Sequence, residues 1–148
     1  MLVSLIFLLM LTLLGISSMQ NATLQEKMAG SVSLRNQSFQ IAEAALRVGE
    51  SAIQVNAFKM DKCVDPYCVP PPESTGTVAA GYSGTSQVTW VAVGASGFYG
   101  IQNLGTTTTP ITRPPNCSSY STVTLYRVTA VGNQGASKTV LESIYANC

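Results

Sequence analysis

Residues 1–58 read MLVSLIFLLMLTLLGISSMQNATLQEKMAGSVSLRNQSFQIAEAALRVGESAIQVNAF and contain no proline. Proline is the residue that most reliably breaks a helix, so the whole stretch is free to run as one. Met1 to Ile16 is almost wholly apolar, and from Ser17 polar residues enter without any break signal. Leu24, Met28 and Val32 then recur every four residues. Phe39, Ala42, Leu46, Gly49 and Ile53 follow at steps of three and four, and Ile41, Ala45, Val48, Ala52 and Val55 widen that face. This is the spacing of an amphipathic helix. The opposite side carries Glu26, Lys27, Arg35, Glu43, Arg47 and Glu50. Glu43 and Arg47 form an i,i+4 pair in the favourable order, which supports a helix by about 0.2–0.5 kcal/mol.

Two halves of this helix meet two different surroundings. The stripe after Leu34 is wide enough to need a sheet over it, so residues 34–58 are expected to lie on a globular head through Phe39, Ala42, Leu46 and Ile53. Residues 1–33 find no cover elsewhere in the chain. Their apolar side chains, Leu2, Val3, Leu5, Ile6, Phe7, Leu8, Leu9, Leu11, Leu13, Leu14, Leu24 and Met28, are expected to face lipid or neighbouring subunits. As a helix, Met1 to Ile16 spans about 24 Å at about 1.5 Å per residue. That is short of a hydrocarbon core about 30 Å thick, and Ser17 to Met19 bring it close. A cleaved secretory signal is the competing reading. No basic region precedes the apolar run, no A-x-A site follows it, and the helical pattern continues past the junction, so the sequence favours a retained stem. Gly15 and Gly30 each cost about 1 kcal/mol inside a helix; they serve either bending or close helix–helix packing.

Of 148 residues, 10% are charged and the net charge is +1. A typical soluble domain carries about 25%. No basic patch with interleaved aromatics is present, which argues against direct nucleic-acid binding. There is no histidine, which removes the commonest general base and metal ligand. No phosphate loop or useful acid pair stands out; Glu73 and Glu142 read as isolated. No cofactor, no metal and no enzymatic activity are therefore expected. The four cysteines, Cys63, Cys68, Cys117 and Cys148, imply an oxidising compartment. Three pairings are open. The favoured one joins Cys63 to Cys68 as a small local loop and Cys117 to Cys148. A zinc site would need paired ligands at close spacing, and the spacing here fits poorly.

Beyond the helix, residues 59–86 read as a loop, with Asp65-Pro66 and Pro70-Pro71-Pro72 stopping any helical continuation. Gln87 to Val93 (QVTWVAV) reads as a strand with Trp90 in the core. A second loop is expected from Gly94 to Ser119, holding Thr106 to Thr109 and three prolines. Tyr120 to Val131 (YSTVTLYRVTAV) is the longest strand candidate. The turn Gly132-Asn133-Gln134-Gly135 returns it along Ala136 to Tyr145. The fold class is α+β: a long N-terminal helix packed on a C-terminal antiparallel sheet of three or four strands over 87–148.

LVSLIFLLMLTLLGISSMQNATLQEKMAG, followed by RNQSFQIAEAALRVGE, resembles the N-terminal region of PilX-type minor pilins of type IV pili. YRVTAVG and KTVLESIYA resemble the last hairpin of that family. The likeness is strong over residues 2–50, weaker over 120–146 and absent between. It implies a type IV pilin-like fold. It also implies a structural subunit of the pilus, cut from a prepilin and held in the inner membrane with a periplasmic head before assembly. After assembly the subunit would sit in the extracellular fimbrium. The implied partners are other minor pilins and the major pilin, in an initiation and tip complex that supports twitching motility, adhesion and DNA uptake indirectly. Pilins of the shaft carry an early glutamate that pairs with a neighbour's N-terminal amine. Here Ser4, Leu5 and Ile6 stand near the start, and the first acidic residue is Glu26. A type II secretion pseudopilin shares the same physics, and no convincing calcium loop surrounds Asp61 and Asp65. A membrane-tethered adhesive domain, meeting a surface or host ligand through its two loops, is the third reading.

Overall fold

The computed structural model describes residues 2–55 and 58–148, with the side chains at positions 14, 15, 17, 18, 20 and 21 outside the described set. Leu14 and Gly15 therefore lie outside the described side chains. The helix, α1, runs Leu2–Ile53. It ends five residues before the expected Phe58, although proline is absent until Pro66. The terminal carbonyls find other partners there. The Gln54 N–H donates to Ser51 O at 3.1 Å, tightening the last turn, and the Asn147 side chain donates to Ile53 O at 3.0 Å. Helix ends need such substitutes for their missing intrahelical bonds.

The chain divides into two units, Met1–Leu34 and Arg35–Cys148. In the first, the described residues form the N-terminal part of α1 and nothing else. In the second, the remainder of α1 packs on a five-stranded sheet. Its strands are β1 (Gly81–Ser83), β2 (Val88–Val93), β3 (Gly97–Thr107), β4 (Val123–Gln134) and β5 (Ser137–Asn147). They are bonded in chain order, each antiparallel to the last. The fold is α+β.

Two of the five strands were unreadable as strands. The expected loop at 94–119 holds β3, and the expected loop at 59–86 holds β1. Three glycines (Gly97, Gly100 and Gly105) dilute the β-forming signal of β3, because glycine is depleted in strands. The contacts show why one of them is needed. A Cβ on Gly100 would lie 2.4 Å from Val88 Cγ1, so a side chain there would force Val88 to shift. β1 is only three residues long and pairs with β2 alone, too short for alternation to register.

The sheet is covered on both faces. Alternate residues of a strand point to opposite sides. On the helix side, Ile53 packs with Ile101, Tyr126 and Val128, flanked by Leu46, Ala52, Phe58, Tyr99 and Tyr145. Phe58 meets Tyr126 edge to face at 5.3 Å. Helix and sheet approach most closely at Gly132, where a Cβ would sit 2.2 Å from Ser38 O and 2.5 Å from Ala42 N. On the other side, Val78, Val88, Trp90 and Val131 form a second core with Phe98 and Val140.

That second core is roofed by the segment 59–80. The Gln102 side chain donates to Tyr67 O at 2.7 Å and Val69 O at 3.1 Å. Arg127 donates to Cys68 O at 2.8 Å and Gln102 Oε1 at 3.2 Å. Asn103 donates to Met60 O at 2.7 Å, and Cys63 N donates back to Asn103 O at 2.9 Å. Buried strand residues thus satisfy the polar backbone of an irregular segment, which must be paired wherever water is excluded.

Candidate assembly surface

In the N-terminal unit the apolar side chains point outward. Leu2, Val3, Leu5, Ile6, Phe7, Leu8, Leu9, Leu11 and Leu13 are exposed, from 52% at Ile6 to 78% at Leu2; Leu24 and Met28 are 54% and 65% exposed. Val3, Ile6, Phe7, Met10 and Leu11 line a shallow apolar groove along the helix. Burying one such side chain from water is worth about 1.5–3 kcal/mol, and exposed apolar patches of this extent mark interaction surfaces. Gly30 has nothing within 4 Å of where a Cβ would stand, so no contact within the chain demands a glycine there. Among the described residues, no helix is long and apolar enough to cross a membrane. The almost wholly apolar run ends at Ile16, and Ser17, Ser18, Gln20 and Asn21 follow within the next five residues.

The residues expected to lie on the sheet divide. Ala42 and Ile53 are fully buried, and Leu46 is half-buried against the core. Phe39 is 47% exposed, a correction to the expected stripe. Val48 and Val55 of its widening flank are also exposed. The buried face is instead Ser38, Ala42, Ala45, Gly49 and Ile53. The spacing of four, three, four and four suits a helix as well as the larger set does. Small side chains were chosen because the backbones come so close at Gly132. Ser38 was missed as a contact residue. It is fully buried, donates to Arg35 O at 2.9 Å, and lies 2.8 Å from Thr139 Oγ1 and 3.1 Å from Ser137 Oγ. The legible signal was the run of small residues, not the apolar ones.

Charge on the helical part of the head is sparse and outward. Arg47 donates to Glu43 Oε1 at 2.8 Å, and that hydrogen bond raises the arginine's pKa above its ordinary value. Glu50 accepts from Ser143 at 2.7 Å. Neither carboxylate that read as isolated is so. Glu73 Oε1 accepts hydrogen bonds from Ser86 and, at 3.0 Å, from the indole of Trp90. Burial opposes the charge on Glu73, but these bonds outweigh it and hold the carboxyl below its ordinary value. Glu142 accepts from Thr129 at 3.1 Å and lies 3.9 Å from Arg127 Nε. Both acids fasten structure.

The cysteines pair as Cys63–Cys68 and Cys117–Cys148. The first closes a short loop inside the roof over the second core. The second ties residue 117 to the strand end at 148. Among the described residues, no group of three or more His, Cys, Asp or Glu is placed to hold a metal ion.

A family model described as PilX N-terminal matches residues 2–47, which is 46 of the 148 residues. It falls on α1, where the sequence resemblance is strongest. No curated protein and no solved structure matches the chain.

Proposed function

We propose that this chain is a minor pilin: a structural subunit that joins type IV pilus assembly by packing its N-terminal helix among the helices of other pilins. One observation carries the reading. The apolar side chains of residues 2–13 are all exposed, and they fall within the segment that the PilX N-terminal model matches. An apolar helix surface of this kind demands cover from lipid or from like helices. The inner membrane provides that cover before assembly, with the head in the periplasm. Neighbouring pilins, both minor and major, provide it afterwards in the extracellular fimbrium. The two disulfides suit that oxidising route.

The first acidic residue is Glu26. Residues 1–25 thus offer no carboxylate to a neighbour's amine, and a carboxylate among apolar helices persists only when paired. This supports a place in the initiation and tip complex rather than repetition along the shaft. The test is a strain lacking this chain, complemented with an epitope-labelled copy. Reduced piliation, with label found at filament ends, is the expected result. Normal piliation with loss only of surface binding would instead identify an adhesive domain. A second arm introduces Leu5→Glu, which is expected to move label into the shaft; an unchanged position would sink the tip assignment.

A further inference from the structure

From Thr106 to Thr122 the chain reads TTTTPITRPPNCSSYST, in which nine of seventeen residues are serine or threonine and three are proline. Such composition neither packs a core nor forms a helix, and it typifies O-glycosylated segments. Here the segment is held in a fixed shape. The Arg113 guanidinium donates to Thr108 O at 2.9 Å and Cys117 O at 3.3 Å, and to Tyr120 O. Cys117 is fully buried and bonded to Cys148. Within this clamped segment Thr109 and Thr112 are exposed.

A second, independent feature lies beside them. Ile111, between these two threonines, is completely exposed, and Ile144 is 55% exposed. A groove of about 410 Å³ runs between the segment and the end of the sheet. Thr109 and Thr112 stand on it together with Pro110, Leu125, Ile144 and Tyr145. An exposed, largely apolar groove flanked by two exposed threonines is a surface that a covering group would shield from water.

We infer that Thr109 and Thr112 are O-glycosylation sites, and that the attached sugar lies over this groove with its C–H faces on Tyr145 and the prolines. The donor is a sugar activated as a diphosphate ester, lipid- or nucleotide-linked. Thr Oγ1 attacks the anomeric carbon, the Oγ1–C1 bond forms and the C1–O bond to phosphate breaks. The diphosphate leaves with the electron pair, and the hydroxyl proton passes to a base on the transferase. No oxidant or reductant is involved.

The test uses full-length protein recovered from its native host. Intact mass and electron-transfer peptide mapping should show added hexose or N-acetylhexosamine residues on Thr109 or Thr112. An unmodified 106–122 segment, or sugar confined to other residues, overturns the assignment whatever role the chain plays in assembly. T109V/T112V expressed in the same host should lose the added mass and keep both disulfides. It should also bind an apolar dye several-fold more strongly than the wild-type chain. Loss of the mass with unchanged dye binding would overturn the covering role of the sugar.

Discussion

Leu8 and Val128 are both aliphatic, yet Leu8 is 64% exposed and Val128 is fully buried. The contrast holds across their whole units. The unit Arg35–Cys148 closes on itself. It has a core on each side of its sheet, two disulfides and hydrogen-bonded carboxylates at Glu73 and Glu142. The unit Met1–Leu34 is a helix with its apolar side chains unspent. Apolar character alone therefore does not make a core; a second surface must face it. The head carries that second surface in its own sequence. Among its described residues, the N-terminal unit presents none.

Substitutions can break this contrast where the head depends most on its own packing. Trp90→Ala removes the largest side chain of the second core and one of the two hydrogen-bond donors to Glu73 Oε1. We expect a loss of about 3–5 kcal/mol, read by denaturant unfolding in detergent. Replacing both Cys117 and Cys148 by serine should cost about 2–4 kcal/mol, because the unfolded chain regains the freedom of a 31-residue separation. Gly132→Ala forces a methyl into the Ser38 and Ala42 backbone, and overpacking of that kind costs about 1–3 kcal/mol. It should lower the melting temperature without changing the disulfides.

The remaining two expectations sharpen the contrast with smaller effects. The folded Glu73 carboxyl sits below its ordinary value of 4.5. The stability it contributes is present above that value and is lost as pH falls through the lower, folded value. Glu73→Gln should flatten this acid-side decline, measured as melting temperature against pH. Smallest of all, Leu8→Ala in the stem should change head stability by less than about 0.5 kcal/mol, while lowering incorporation into filaments. A large loss of head stability from that change would show that the two units share a core.

Much of the architecture was legible. The apolar run and the proline-free stretch disclosed α1, the QVTWVAV alternation disclosed β2, and YSTVTLYRVTAV with its return disclosed the β4–β5 hairpin. The structure carries the hairpin's first strand further, to Gln134, with Gly135 and Ala136 making the turn. Periodicity failed where packing demanded small residues. Gly100 hides β3 because it makes room for Val88. Ser38 hides the helix contact because Gly132 needs a neighbour without bulk. Phe39 drew attention by its size, yet it lies one residue, about 100° of helix rotation, from the buried Ser38. The cover over the second core was invisible for another reason. Residues 59–80 have no period at all, and they are held by long-range hydrogen bonds to Gln102, Asn103 and Arg127 that no local pattern announces.

The strand order of the sheet has a kinetic consequence. Each strand pairs with the strand just before it in the chain, through turns of two to four residues except between β3 and β4, where residues 108–122 intervene. Pairings between near neighbours close small loops and form quickly. The sheet can therefore zip strand by strand along the chain, with its growing edge unpaired only briefly. The docking of Ser38 onto Gly132 is a slower encounter, across 93 residues of intervening chain, and it comes when both surfaces are already formed.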